Sequence, residues 1–143
     1  CFTEIFIMQA TIKLIDGVSF EGAAGSGHSI VMDGPAEYGG QDKGIRPMEA
    51  VLIGMGGCAS FDVVHILRKG RQDVATCECE LQAVRADEDP KVFVKVNMHF
   101  RVSGAGLKDG LVKRAVELSA EKYCSASIMI GKTAVITHSY ELV

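Results

Sequence analysis

A chain of 143 residues can bury one sizeable core but not two independent ones. Hydrophobic residues make up 48% and charged residues 23%, an ordinary globular composition. The net charge is only −3 and the acids are scattered, which excludes a basic footprint for nucleic acid and a polybasic membrane patch. No unbroken apolar run approaches the ~18 residues of a bilayer span, so no membrane partner is expected. The opening CFTEIFI lacks the cationic start of a secretory signal. Patterning begins at Met8, and residues 1–7 are read as an extension or expression remnant ahead of a domain over 8–143.

The elements follow from periodicity. Met8–Ile15 alternates apolar and polar residues, Asp16-Gly17 is a turn pair, and Val18–Glu21 returns, which predicts a hairpin. Gly22–Gly27 reads as a loop, His28–Met32 as a third strand, and Gly34–Ile45 as the longest loop. Pro47 suits a helix start, and Glu49 adds negative charge to the first turn. Met48–Lys69 reads as one helix, apolar enough to be buried on most sides. Gly54, Gly56 and Gly57 lie in its middle, each costing about 1 kcal/mol relative to Ala. Close approach of another backbone would offset that cost, and the same helix of a second subunit is one candidate. Val74–Ala86 and Val92–Val102 alternate around a turn at Asp87–Pro90, predicting a second hairpin broken at Gly104–Gly106. Leu107–Lys122 has helical spacing, Cys124–Ile130 reads as a short helix, and Thr133–Val143 as a last strand. The order βββ-α-ββ-α-α-β is α+β, without the alternation of a parallel nucleotide-binding fold.

Five cysteines (Cys1, Cys58, Cys77, Cys79 and Cys124) and no export signal point to a reducing cytoplasm, with thiols that are buried, metal-bound or reactive. Cys58, mid-helix in GMGGCASFD, read alone is a small thiol filling a tight helix contact. A reactive role requires a cation or hydrogen-bond donors from tertiary contact, because the helix dipole has faded by mid-helix. Cys124 in AEKYCSAS stands where one helix breaks and another begins, and free amides there can stabilise a thiolate. Read alone it too is a core cysteine. Cys77 and Cys79 share one strand face, too far apart along it for a disulfide and without a histidine pair for zinc, so core packing is expected. Asp62 and His65 extend a polar stripe from Cys58, but two helical turns put His65 about 10 Å from the thiol. No phosphate loop is present.

The joint context is more specific. RPMEAVLIGMGGCASFDV, followed by SAEKYCSAS and a final strand, resembles the OsmC/Ohr superfamily, and within it the YhfA-like branch. The resemblance covers nearly all of Met8–Val143. It implies an intertwined homodimer with the long helices central and both sites at the interface. It also implies that Cys58 is peroxidatic and Cys124 resolving, in thiol-dependent reduction of organic hydroperoxides or similar small electrophiles. A dithiol reductant would recycle the pair, with no metal and no other cofactor. Met55 and Phe61 would line an apolar pocket. Peroxidase members carry glutamate directly after the proline and use it to hold an arginine. Here Met48 follows Pro47, and Glu49 lies one place later, roughly 180° around the helix from Cys58. Arg46, or less aptly Lys13, is the cation available. The alternative implied by that departure is a non-peroxidatic binding or redox-sensing protein that uses the same interfacial pocket.

Overall fold

The computed structural model describes residues 7–143; Cys1 and the rest of 1–6, most of the expected extension, lie outside the described residues. The chain separates into two compact units, Cys1–Val51 and Leu52–Val143. Element order follows the sequence reading throughout.

The first unit is a three-stranded antiparallel sheet in the order β1-β2-β3, formed by Ala10–Asp16, Ser19–Ala24 and Ser29–Met32. Gly17 takes φ +53, the left-handed conformation that lets the first hairpin close. β2 runs three residues beyond the expected Glu21, because Gly22 and Ala23 pair with Ile30 and Ser29. Small residues carry no strand signal of their own; the ladder partner supplies it. The loop after β3 contains a 3-10 turn at Ala36–Tyr38 and is organised by Asp33. That carboxylate is 2% exposed and accepts the amides of Gly34, Gln41 and Lys43. One face of the sheet carries Ile12, Leu14, Phe20 and Ile30, all exposed.

The long helix α1 spans Pro47–Lys69. Its start is capped by Glu49, whose Oε1 accepts the Arg46 amide at 2.7 Å. This is the reach-back half of a capping box. Sequence reading expected burial on most sides, but in this chain a single stripe is buried: Met55, Ala59, Val63 and Leu67, with Gly56 beside them. On the far side Ile53 is 60% exposed and Phe61 71%. Gly56 is explained within the chain, since a Cβ there would stand 2.6 Å from Leu81 Cδ1. Gly54 and Gly57 have no such neighbour. An 18-residue window of α1 is also apolar enough to suit a membrane span, with mean hydropathy 1.7, although no unbroken run is. Its buried stripe instead serves as the central packing surface of the second unit.

In that unit β4 (Asp73–Arg85) and β5 (Phe93–Ala105) pair antiparallel, and β6 (Val135–Leu142) pairs parallel to β5. β5 continues through the expected break because Gly104 pairs with Val74. A parallel partner needs a crossover. The crossover consists of α2 (Asp109–Leu118), a π turn (Ser119–Tyr123) and α3 (Ser125–Ile130). The helix expected through Lys122 thus stops early. Among the described residues every buried apolar side chain belongs to this unit, including Val96, Met98, Phe100, Val112 and Ala115. The other face of its sheet is polar, with Arg101 paired to Glu78, Glu80 and Glu141.

Candidate functional site

Cys58 and Cys124 are brought together by two features of the crossover. The Ser119 hydroxyl donates to the Ala59 carbonyl at 3.2 Å, which fastens the start of the π turn to α1 one residue past Cys58. The π turn then closes with the Cys124 amide donating to the Ser119 carbonyl at 2.8 Å. Cys124 leaves the turn with extended backbone and becomes the N-cap of α3, its sulfur accepting the Ser127 amide at 3.3 Å. The Ser127 hydroxyl in turn contacts Met98 Sδ at 3.8 Å.

Cys58 is half-buried and Cys124 fully buried. Their sulfurs and one carboxylate oxygen of Asp62 all lie within 4.8 Å of one another. A disulfide bond is about 2.05 Å long, so bridging requires the sulfurs to approach further. Burial pushes the Cys124 thiol up; the Ser127 hydrogen bonds oppose this and neighbouring Cys58 reinforces it. Burial likewise pushes the Asp62 carboxyl up, with His65 opposing. Asp62 Oδ2 is buried and has no hydrogen-bond partner.

Asp62 also borders a cleft of about 490 Å³ with His65, Ile66, Lys69, Leu118 and Tyr123; neither sulfur lines it. His65 does not pair with Cys58; its ring stacks on Phe61, centroids 5.9 Å apart. A larger cavity of about 710 Å³ lies between α2, α3 and β6 and contains neither sulfur. Its wall includes Ser127 and His138, whose Nε2 is buried without a partner.

Met55 is a core residue, and Phe61 is exposed in the single chain. Arg46 and Glu49 belong to the first unit, where they organise the helix start: the guanidinium faces the Gly44 carbonyl at 3.5 Å and Asp42 at 3.6 Å. Cys77 and Cys79 are half-buried on the inner face of β4, and burial pushes Cys79 up to about 11. Sequence reasoning missed Ser119 and Ser127. A serine three residues after an N-cap candidate offers a weak signal for Ser127, but nothing local marks Ser119.

A two-thiol site at the junction of a long central helix and a short capped one, inside an α+β domain of this strand order, defines an OsmC-type protein. The OsmC-like protein family model matches residues 40–139, and the chain belongs to that family. It is 52% identical to Protein YhfA of Escherichia coli K12 over 136 residues, 95% of this chain and 98% of that protein. A hypothetical protein from Aquifex aeolicus VF5 superposes with TM-score 0.85 at 28% identity, covering 97% of this chain and 98% of that one. The fold also matches an organic hydroperoxide resistance protein OsmC from Legionella pneumophila, with TM-score 0.70 at 16% identity over 97% of this chain and 99% of that one.

Proposed function

We propose that the protein reduces organic hydroperoxides or similar small electrophiles through Cys58 and Cys124, as a cytoplasmic defence against oxidative stress. The observation that carries this reading is the sulfur pair: Cys58, half-buried, and Cys124, fully buried, lie within 4.8 Å of each other. The Legionella protein of the same fold is named for organic hydroperoxide resistance, which supports this substrate class.

In the proposed reaction the Cys58 thiolate attacks the terminal oxygen of R–O–O–H. The O–O bond breaks, the alkoxide takes a proton to leave as alcohol, and Cys58 becomes a sulfenic acid. Cys124 then attacks that sulfur, releasing water and forming the disulfide, and an external dithiol reduces it by exchange. Cys58 suits the first role because it is the more accessible sulfur.

The test is a thiol count on the reduced chain after addition of cumene hydroperoxide. Loss of two thiols per chain, prevented by Cys58→Ser and reduced to a trapped sulfenic acid by Cys124→Ser, is the expected result. Persistence of both thiols and of the peroxide overturns it. One arrangement favours the alternative of a non-peroxidatic binding or redox-sensing protein. Glu49 is engaged with the Arg46 amide and Arg46 with its own loop, while the acid beside the thiols is Asp62. Under the binding reading the same assay leaves both thiols intact; under the redox-sensing reading they oxidise, but peroxide beyond one equivalent persists when a dithiol is supplied.

The assembly we infer is a homodimer. Ile53 and Phe61 on α1, and Ile12, Leu14 and Ile30 on the first sheet, are from 48% to 71% exposed in the single chain. Apolar side chains left exposed in this way on each of the two units mark surfaces suited to an interface. A second copy, offering the same surfaces, is the partner that a closed symmetric assembly requires. Sedimentation at micromolar concentration should give a dimer; a monomer refutes it.

A further inference from the structure

We propose that Cys58, Cys124 and Asp62 form a binding site for a soft divalent cation of the zinc class. The proposal uses the residues of the thiol site but does not depend on peroxide chemistry.

The donors are of the right kind. Two thiolates and one carboxylate are a mixed sulfur and oxygen set that zinc accepts, and three protein ligands leave a fourth tetrahedral position for water or a small ligand. The spacing is close to what is needed. Zinc–sulfur bonds of about 2.3 Å and zinc–oxygen bonds of about 2.0 Å place tetrahedral donors roughly 3.5–3.8 Å apart. The three donor atoms here already lie within 4.8 Å of one another, so closure requires each pair to approach by at most about 1.3 Å.

The elements that carry the donors are held in place. Cys58 and Asp62 are one helical turn apart on α1 and so project from the same face. Cys124 is delivered from the opposite side by the π turn, which the Ser119–Ala59 hydrogen bond fastens to α1. The Ser127 amide already donates to the Cys124 sulfur, the kind of outer contact that orients a metal ligand.

An independent observation concerns Asp62 itself. Its Oδ2 is buried and finds no hydrogen-bond partner among the described residues, although buried carboxylate oxygens are almost always satisfied. A cation held by this carboxylate and the two sulfurs would satisfy that oxygen if bound through it. Asp62 itself lines the cleft with His65, Lys69 and Tyr123, so the proposed ion would be reached from the Asp62 side. While bound, the ion holds both thiols as thiolates and occupies the space in which they would otherwise meet.

The test is anaerobic titration of the reduced full-length chain with Co²⁺, followed by displacement with Zn²⁺. The expected result is one ion per chain with a tetrahedral visible spectrum and a thiolate-to-cobalt charge-transfer band that Zn²⁺ abolishes. Cys58→Ser should weaken that band, and Asp62→Asn should keep it while lowering affinity at least about tenfold, the scale on which even outer-shell partners act. Cys77→Ser should change neither. In the unmodified chain, one equivalent of Zn²⁺ should protect Cys58 and Cys124 from alkylation, mapped by mass spectrometry, which keeps the test decisive if a variant misfolds. Absence of the charge-transfer band, or binding indifferent to both Cys58→Ser and Asp62→Asn, overturns the proposal. Because no peroxide is present, failure here is separate from failure of the peroxidase reading, which is assayed with a chelator.

Discussion

The Ser119 hydroxyl donates to the Ala59 carbonyl at 3.2 Å across 60 residues of sequence, and through it the second thiol is anchored beside the first. Ser119→Ala removes this one buried hydrogen bond. The expected loss is about 0.5–1.5 kcal/mol, read as a shift of the denaturant midpoint. In the proposed peroxide reaction the looser π turn should prolong the Cys58 sulfenic acid, seen as stronger dimedone labelling than in the parent chain. Unchanged labelling would mean that the anchor does not govern how the sulfurs meet.

Gly54 and Gly57 offer a test of the dimer. A Cβ at either would meet nothing within 4 Å in the single chain. In an isolated helix, Ala at each should therefore stabilise by about 1 kcal/mol. If α1 packs against its counterpart in a second copy, the added methyl groups separate the helices. The doubly substituted chain should then dimerise more weakly, with sedimentation shifting towards monomer as it is diluted. A higher melting temperature with unaltered assembly would place the dimer contact elsewhere.

Asp33 predicts a pH dependence. Burial raises its carboxyl, but the amides of Lys43, Gln41 and Gly34, with Arg46 nearby, outweigh burial and hold it below the ordinary aspartate range. A depressed folded value stabilises the native state above the unfolded value, and that stabilisation is lost as pH falls through the folded one. The gap in melting temperature between the parent chain and Asp33→Asn should be full at neutral pH and shrink below about pH 4. A gap that stays constant down to acid pH would assign the effect to shape rather than charge.

Cys77 and Cys79 should be chemically quiet. Burial raises Cys77, and burial, with Cys77 adjacent, raises Cys79 to about 11 despite an opposing Ser60 contact. Thiolate is the reactive form, so both should alkylate slowly at neutral pH. Cys77→Ala should leave the two-thiol loss to hydroperoxide intact. Rapid modification of either on a time course of peptide mass maps would contradict this.

Much of the fold was legible because local patterning and tertiary demand agree along most of the chain. Alternation around Ile12 and Leu14, and again from Cys77 to Ala83, marks strands that have one buried or buriable face. The misses occur where a long-range partner overrides local chemistry. Gly22 and Gly104 look like breaks yet lie in ladders, because β3 and β4 supply hydrogen bonds that compensate for poor strand propensity. Leu118–Lys122 continues a helical pattern, yet the chain widens into a π turn there and Cys124 caps the next helix. Arg46 and Glu49 entered through the family resemblance rather than through spacing; in the single chain a backbone cap and Asp42 engage them at the helix start.

For the two cysteines the division is sharp. The sequence by itself determined the family, the element order and the identity of Cys58 and Cys124 as the residues to watch, since motif spacing is a property of the chain. Only the tertiary structure decided that their sulfurs converge within 4.8 Å, that Cys124 is the buried one, and that Asp62 completes the group. Those facts depend on a hydrogen bond spanning 60 residues and on a turn whose shape follows from packing against α1. Periodicity reports which face of an element is apolar; it carries no information about which distant residue will meet it.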